Sequence, residues 1–499
     1  MTELVKAAPT KPRKLNSIQS WDMETDVAIV GFGGAGSCAA LEASENGGQV
    51  ILFEQASASG GSTALSSAEI YMGGDGGTRV QQACGYQDTN TDMFNYLMEC
   101  GGPQADEAKI RHYVEGSIGH FDWLTGKGVP YKDSEYKERA IMSMTDDCLL
   151  YTGNEKAWPF NELAKPCPRG HNLEVDGDNG GPLLMKILTD NVDQNDAITV
   201  CYESRVLTLI VDDGGVVVGL VARVDGKEKN VKARKGVILC AGGFVMNDEM
   251  LQKYAPALLK ANAKIGNPGD TGTGILMGMG VGAAAINMHE GFVSLPYYPP
   301  STLTNGILVN SQGQRFINED CYHGRVGYYA LQQHGDRIYM IFSAEDFGEY
   351  QTQSYLGADI AGTGDTIEEL EQELKLPEGS LQETLSYYNR YAEQGRDPKF
   401  HKSDAWLKPM QAPFAALDCT VGRGAFYPYF TLGGLDSKPT GEVLTPTSDV
   451  IQGLYAAGRT TAGLPRRAAG YASGMSVGDA TYFGRMAGIS ATTAVNNID

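Results

Sequence analysis

The sequence predicts an α/β fold in which a nucleotide-binding domain on a parallel sheet is split by an inserted α+β cap. Three observations carry this reading. Residues 26–54 alternate strand, glycine turn, helix and strand. The same glycine-punctuated strand style returns at 200–240 and again near 453–491. Between them, from about 290 to 430, clustered aromatics and prolines and amphipathic acidic helices replace it. The expected boundaries are a flexible tail over 1–21, the nucleotide domain over 22–289 and 430–499, and the cap over 290–429. A length of 499 residues suits such an arrangement.

Taken in order, Asp26-Val27-Ala28-Ile29-Val30 reads as a buried strand, Gly31 to Gly36 as a turn, Ser37 to Asn46 as an alanine-rich helix, and Val50-Ile51-Leu52-Phe53 as the next strand, ending at Glu54. The spacing from 93 to 128 is helical. Val206 to Val211 and Val216 to Val224 flank Asp213-Gly214-Gly215, a hairpin signal. Gly236 to Cys240 is a further continuous apolar strand, followed by Ala241-Gly242-Gly243-Phe244. Asn267 to Gly282 is a glycine-rich loop entering a short apolar helix. Thr366 to Glu393 carries the acidic helices of the cap. Gly453 to Gly458 is a strand, and Gly474 to Ala491 a closing helix.

Composition excludes several classes of function. The net charge of −21 and the pI near 4.8 oppose a nucleic-acid partner, which demands a basic surface. The nine cysteines include no CxxC pair and no metal-ligand spacing, so they read as reduced thiols in a cytoplasmic compartment, with no metal site. Met1 to Trp21 lacks the apolar core of a signal peptide, and no run approaches the ~18 apolar residues of a membrane span.

The chemistry starts at Gly31-Phe32-Gly33-Gly34-Ala35-Gly36. This GxGxxG follows a strand, opens a helix, and has an acidic residue, Glu54, eighteen positions after Gly36 at the end of the next strand. The first glycine permits the tight turn, the second lets backbone N–H groups reach a pyrophosphate, and the third lets helix and strand pack closely. The helix N-terminus adds partial positive charge, and Glu54 can accept from ribose hydroxyls. This motif alone does not distinguish FAD from NAD.

The next segments do. Ser59-Gly60-Gly61-Ser62-Thr63-Ala64-Leu65-Ser66, then Val237-Ile238-Leu239-Cys240-Ala241-Gly242-Gly243-Phe244, then Gly453-Leu454-Tyr455-Ala456-Ala457-Gly458-Arg459 occur in the order found in the flavoprotein family of fumarate reductase, succinate dehydrogenase and the 3-ketosteroid dehydrogenases. The chain resembles that family from about residue 24 onward. The resemblance implies a Rossmann-like FAD-binding domain of the GR2 type and non-covalent FAD. It places FAD against Gly31, Gly33, Gly34, Ala35 and Gly36, then Glu54 and Gln55, then Ser62, Thr63 and Ser66. Val206, Ala241, Gly242 and Arg459 follow, and Gly474, Ser476 and Val477 at the last helix complete the set.

Departures from the pattern select the branch. The dicarboxylate reductases of the family use a proton-donating arginine after an Arg-Phe-x-Asn-Glu segment, present here as Arg315 to Glu319. In this chain His323 holds the arginine's place, Tyr322 precedes it, and Arg325 stands two positions on. The second clamp arginine falls at Tyr471, and the clamp histidine at Tyr429. A dicarboxylate would lack its bidentate partners, and an apolar ketone is better served. Asn318-Glu319-Asp320-Cys321-Tyr322 and Gly470-Tyr471-Ala472-Ser473-Gly474 resemble the 3-ketosteroid Δ4-(5α)-dehydrogenases. That resemblance implies Tyr471 as base, supported by Tyr322 and Ser473, and the backbone N–H of Gly474 as donor to the substrate oxyanion. A hydrogen bond from the second tyrosine is expected to favour the phenolate of the first. Tyr429 and Tyr297 are expected to contact the substrate, and Tyr71, Phe292 and Tyr298 are further candidate walls.

Two other readings stand beside a steroid substrate. One is a flavin ene-reductase for an unsaturated acid, of the fumarate or urocanate reductase type. The other is a flavin-free escort protein built on the same fold. No second GxGxxG follows a strand and no CxxCH haem motif occurs, so electrons are expected to leave to an external acceptor whose identity the sequence does not give.

Overall fold

A computed structural model of the chain describes residues 8–493. Within them a nine-stranded sheet forms the base of the molecule. Met23–Val30 lies in its middle, parallel to Val50–Phe53 on one side (Ile29 opposite Leu52) and to the distal part of Lys227–Leu239 on the other (Ile29 opposite Ile238). Ile198–Cys201 extends the sheet in parallel beyond Val50–Phe53. Val27 to Val30 and Val237 to Leu239 are buried on both faces, which is why they read as unbroken apolar runs. Arg205–Val211 and Val217–Val224 form the expected antiparallel hairpin, and the second of these pairs with the proximal part of Lys227–Leu239. Val450–Ala456 adds a parallel neighbour to the distal part, with Ile238 opposite Tyr455. The carboxyl ends of these parallel strands therefore meet along one edge, where open α/β sheets place their ligand crevice.

The helix of the first unit spans Gly34–Glu45, three residues earlier than the expected start at Ser37, because the last glycines of the turn already lie in its first turn. It packs along the closing helix Met475–Thr493. Glycines make that contact close: a Cβ on Gly484 would stand 2.4 Å from the carbonyl oxygen of Ala35, and one on Gly488 2.3 Å from that of Ala39.

Between 307 and 418 a second, antiparallel sheet runs in the order Ile307–Asn310, Ile338–Ser343, Phe414–Asp418, Ile360–Gly364. The helices Ile367–Glu373 and Ser380–Ala392 cover it, and Ile307, Ile341, Leu370, Leu381 and Leu385 form its own apolar cluster. The chain enters and leaves this sheet through two short antiparallel strands, Gly291–Val293 and Pro428–Thr431, with Phe292 opposite Phe430.

The tail expected to be flexible over 1–21 is docked where it is described. Arg13–Lys14 adds a parallel edge strand to Arg205–Val211, the amide of Thr10 donates to the carbonyl of Leu276, and Trp21 packs with Ile210, Val218 and Val221. Residues 1–7 lie outside the described residues. All nine cysteines are unpaired. Among the described residues no helix is long and apolar enough to cross a membrane.

Candidate active site

A cavity of about 650 Å³ opens at the carboxyl edge of the parallel strands and runs from the glycine turn to the strands that enter the second sheet. This size falls within the range of small-molecule sites. Its first half is lined by backbone and hydroxyls. Gly31 takes φ +103°, and a side chain there would meet the carbonyl oxygen of Cys240 at 2.4 Å, so the turn requires glycine. Gly36 lies behind the cavity, where a Cβ would stand 1.9 Å from the carbonyl oxygen of Gly31. It is the packing glycine of the motif. Glu54 accepts from the amides of Phe32 (2.9 Å) and Ala56 (2.8 Å), which fixes its carboxylate at the rim while each oxygen keeps a further lone pair.

The loop from Ser59 to Ser67 curls over the N-terminus of the first helix. Thr63 Oγ1 accepts from the amide of Gly34 at 3.2 Å. Ser62 Oγ donates to Asp270 at 2.5 Å, and Arg459 Nη2 donates to the same carboxylate at 2.9 Å. A Cβ on Gly242 would touch that carboxylate at 2.0 Å. Asp270 thus ties together three of the segments expected to hold the cofactor. A helix N-terminus that lines the cavity, a carboxylate at the end of the second strand and a hydroxyl-lined loop fit a dinucleotide cofactor such as FAD.

The second half of the cavity is aromatic. Phe292 stacks on Phe430 (4.8 Å between centroids) and tilts against Tyr471 (4.7 Å), while Tyr322 and Tyr471 stand 6.4 Å apart. Tyr471 Oη donates to Ser476 Oγ at 2.9 Å, and Tyr322 Oη lies 3.0 Å from Ser473 Oγ. The expected hydrogen bond between the two phenols is replaced by these separate serine partners: Tyr322 caps the helix His323–Leu331, Tyr471 comes from the segment before the last helix, and their rings stand 6.4 Å apart. Burial pushes the Tyr471 hydroxyl up to about 12, against the opposing pull of Ser476 and of the Arg459 charge. Burial, with Tyr471 beside it, holds Tyr322 well above the usual phenol range. Gly474, at φ +91°, also lines the cavity, and a Cβ there would meet the amide nitrogen of Tyr71 at 2.7 Å.

His323 stands beside Tyr322, 4.0 Å between ring centroids, and lines the cavity with neither ring nitrogen bonded. Burial, then the Arg139 charge, lowers it to about 3, so the imidazole is neutral. Arg325 points elsewhere: Nη1 donates to the carbonyl of Ala469 at 3.1 Å, and the guanidinium rests on Phe160 and Tyr329.

Of the residues expected around the cofactor, all but Gly36 line the cavity, and Tyr322, Tyr471, Ser473 and Gly474 meet at its aromatic end. Two of the substrate contacts are corrected. Tyr429 alternates with Pro428 and Phe430, which face the cavity, and so points to the opposite side of its strand. Tyr297 is fully buried, its hydroxyl donating to the carbonyl of Glu319. Tyr71 donates to Glu155 at 3.1 Å and Tyr298 accepts from the amide of His323 at 3.1 Å, both behind the wall, which leaves Phe292 as the candidate that faces the cavity. Phe430, Asp270 and Glu69 were missed. Asp270 had a local cue in Asn267-Pro268-Gly269-Asp270, whereas nothing near Glu69 marks it out.

Residues 26–474 match the model of the FAD binding domain family. The solved structure of 3-ketosteroid Δ4-(5α)-dehydrogenase from Rhodococcus jostii RHA1, in complex with 4-androstene-3,17-dione, is 40% identical with a TM-score of 0.91, over 97% of this chain and 100% of that one. A probable fumarate reductase of Shewanella frigidimarina is 29% identical over 94% of this chain and 74% of its own length. The 3-oxo-5α-steroid 4-dehydrogenase of Comamonas testosteroni is 25% identical over 88% and 93%.

Proposed function

The chain belongs to the FAD-binding flavoprotein family that includes the fumarate reductases and the 3-ketosteroid dehydrogenases, and from that premise we propose that it removes hydrogen across carbons 4 and 5 of 3-oxo-5α-steroids. It is an FAD-dependent oxidoreductase acting on CH–CH bonds. The observation that carries the steroid reading is the wall of the substrate half. It consists of phenols and apolar rings, with a neutral imidazole at one place where relatives keep a cation and Arg325 turned away into a carbonyl and two aromatic faces. An uncharged ketone loses little on entering such a chamber, while a dicarboxylate would be desolvated without a partner.

Bound flavin supplies the hydride-accepting chemistry at the aromatic end. The protein's residues handle the proton and the oxygen. The carbon next to the ketone is acidic because its anion is an enolate, and Tyr471 is the group that takes its proton, with Tyr322 and Ser473 as support. The backbone N–H of Gly474 at the start of the last helix stabilises the developing oxyanion, where the helix terminus also favours negative charge. Phe292 and Phe430 exclude water and hold the apolar ring system in place. The electrons then pass to an external acceptor. The reading is tested with 5α-androstane-3,17-dione deuterated at carbons 4 and 5. The product should be 4-androstene-3,17-dione with the carbon-5 deuterium lost. A 1-ene product retaining it would refute the regiochemistry.

A further inference from the structure

Tyr322 and Ser473 meet at the aromatic end of the cavity, with Oη and Oγ 3.0 Å apart. Neither lies inside a helix or a strand: Tyr322 is the residue before His323–Leu331, and Ser473 stands two positions ahead of Met475–Thr493. Their backbone groups need partners from elsewhere, and one stretch of chain supplies them. The amide of Tyr322 donates to Asn154 Oδ1 at 2.9 Å. The carbonyl of the same peptide unit, that of Cys321, accepts from Arg139 Nη2 at 2.7 Å. The amide of Ser473 donates to the carbonyl of Thr152 at 2.9 Å, and the carbonyl of Ser473 accepts from Thr152 Oγ1, also at 2.9 Å.

These grips are themselves held. Thr152 and Asn154 are 4% and 0% exposed. The amide of Asn154 donates to Tyr96 Oη at 2.9 Å. Arg139 lies over the ring of Tyr298, its guanidinium 4.1 Å from the centroid, and Tyr298 Oη accepts from the amide of His323 at 3.1 Å. Gly153 stands between the two grips. A Cβ there would lie 2.3 Å from Tyr96 Oη and 2.6 Å from the Cβ of Ala472, so glycine is what lets residues 152–154 approach the Ser473 segment. Arg139, Thr152 and Asn154 all stand behind the cavity wall and act only through the residues that form it.

We propose that Thr152 and Asn154, together with Arg139, form a template that sets the contact between Tyr322 Oη and Ser473 Oγ, with Asn154 as the positioning residue for Tyr322. The inference rests on the dehydrogenase reading above. A phenol oxygen sits at the far end of a long rigid side chain, so a small tilt of the peptide before it is magnified at the oxygen. Asn154 and Arg139 hold opposite edges of that peptide, which resists the tilt where a single bond would act as a pivot. Ser473 is held by both of its backbone groups. Because Thr152 and Asn154 are two positions apart, two groups from distant parts of the chain are referred to one short piece of backbone. Hydrogen bonds weaken steeply once their geometry is lost, and a misplacement of about 1 Å in a reacting constellation costs on the order of 10²-fold in rate.

The experiment mixes the flavin-loaded protein with 5α-androstane-3,17-dione in the absence of oxygen. It measures the limiting rate of flavin reduction and the steroid concentration at half that rate, in wild type, Asn154→Leu, Asn154→Asp and Thr152→Val. Asn154→Leu keeps the bulk and removes the acceptor. It should slow flavin reduction by ~10–10²-fold, with half-saturation and flavin content nearly unchanged. Asn154→Asp keeps an acceptor oxygen towards the Tyr322 amide and should recover most of the rate. Thr152→Val removes only the bond to the Ser473 carbonyl and should cost about 3–10-fold, the worth of one hydrogen bond. A merely structural role would weaken half-saturation and flavin retention along with the rate. If wild type does not reduce its flavin with the ketone, the functional reading fails and takes the template with it. If wild type does and Asn154→Leu keeps its rate, or Asn154→Asp is as slow as Asn154→Leu, the template alone is overturned. Should Asn154→Leu fail to hold flavin, Thr152→Val decides: a slower rate at unchanged half-saturation supports the template, and an unchanged rate overturns it.

Discussion

Tyr471 is the residue on which the proposed chemistry turns. Its ring packs on Phe292 and Phe430, so the oxygen is held in place by apolar contact as well as by Ser476. Tyr471→Phe keeps those contacts and removes only the oxygen. It should bind FAD as wild type does and lose turnover by ~10²–10⁴-fold, the range for removing a general base. Flavin absorbance and steady-state rates on the same preparation check both halves. This residue was legible because the glycines on either side of Tyr471 and Ser473 give the segment a recognisable pattern. Glu69 was not, since it comes to the cavity wall only where residues 69–71 meet Gly474, more than 400 positions away in the chain.

At the scale of elements, the contact between Gly34–Glu45 and Met475–Thr493 decides how precisely the glycine turn and Gly474 face each other across the cavity. Gly488→Val would drive a side chain into the Ala39 carbonyl, where even a Cβ stands at 2.3 Å. Separating the helices should cost about 1–3 kcal/mol, as overpacking commonly does, and weaken FAD retention. Denaturant unfolding and FAD release on dilution measure the two effects. The turn itself was readable from local physics, because Gly31 needs its positive φ and the flanking strands are buried on both faces. The facing of short strands was not. Pro428 to Thr431 are all buried, so alternation gave no sign that Phe430 and not Tyr429 looks into the cavity. The docked tail escaped for a related reason: Arg13–Lys14 gains its strand character only from the edge of Arg205–Val211.

At the scale of the whole molecule, the parallel sheet supplies a crevice rich in backbone donors and hydroxyls, and the strands leading to the second sheet supply an aromatic chamber at its end. We propose the division into a nucleotide domain and a cap over 290–429 as the arrangement that lets these two chemistries meet. The central claim is that the chamber takes an uncharged ketone and passes its electrons to flavin. The most direct measurement mixes the oxidised holoenzyme without oxygen with 5α-androstane-3,17-dione, and separately mixes the photoreduced holoenzyme with fumarate, while following flavin absorbance. Bleaching by the steroid within the mixing experiment, with no reoxidation by fumarate, is the expected result. Flavin that stays oxidised with the steroid and is rapidly reoxidised by fumarate would contradict the claim.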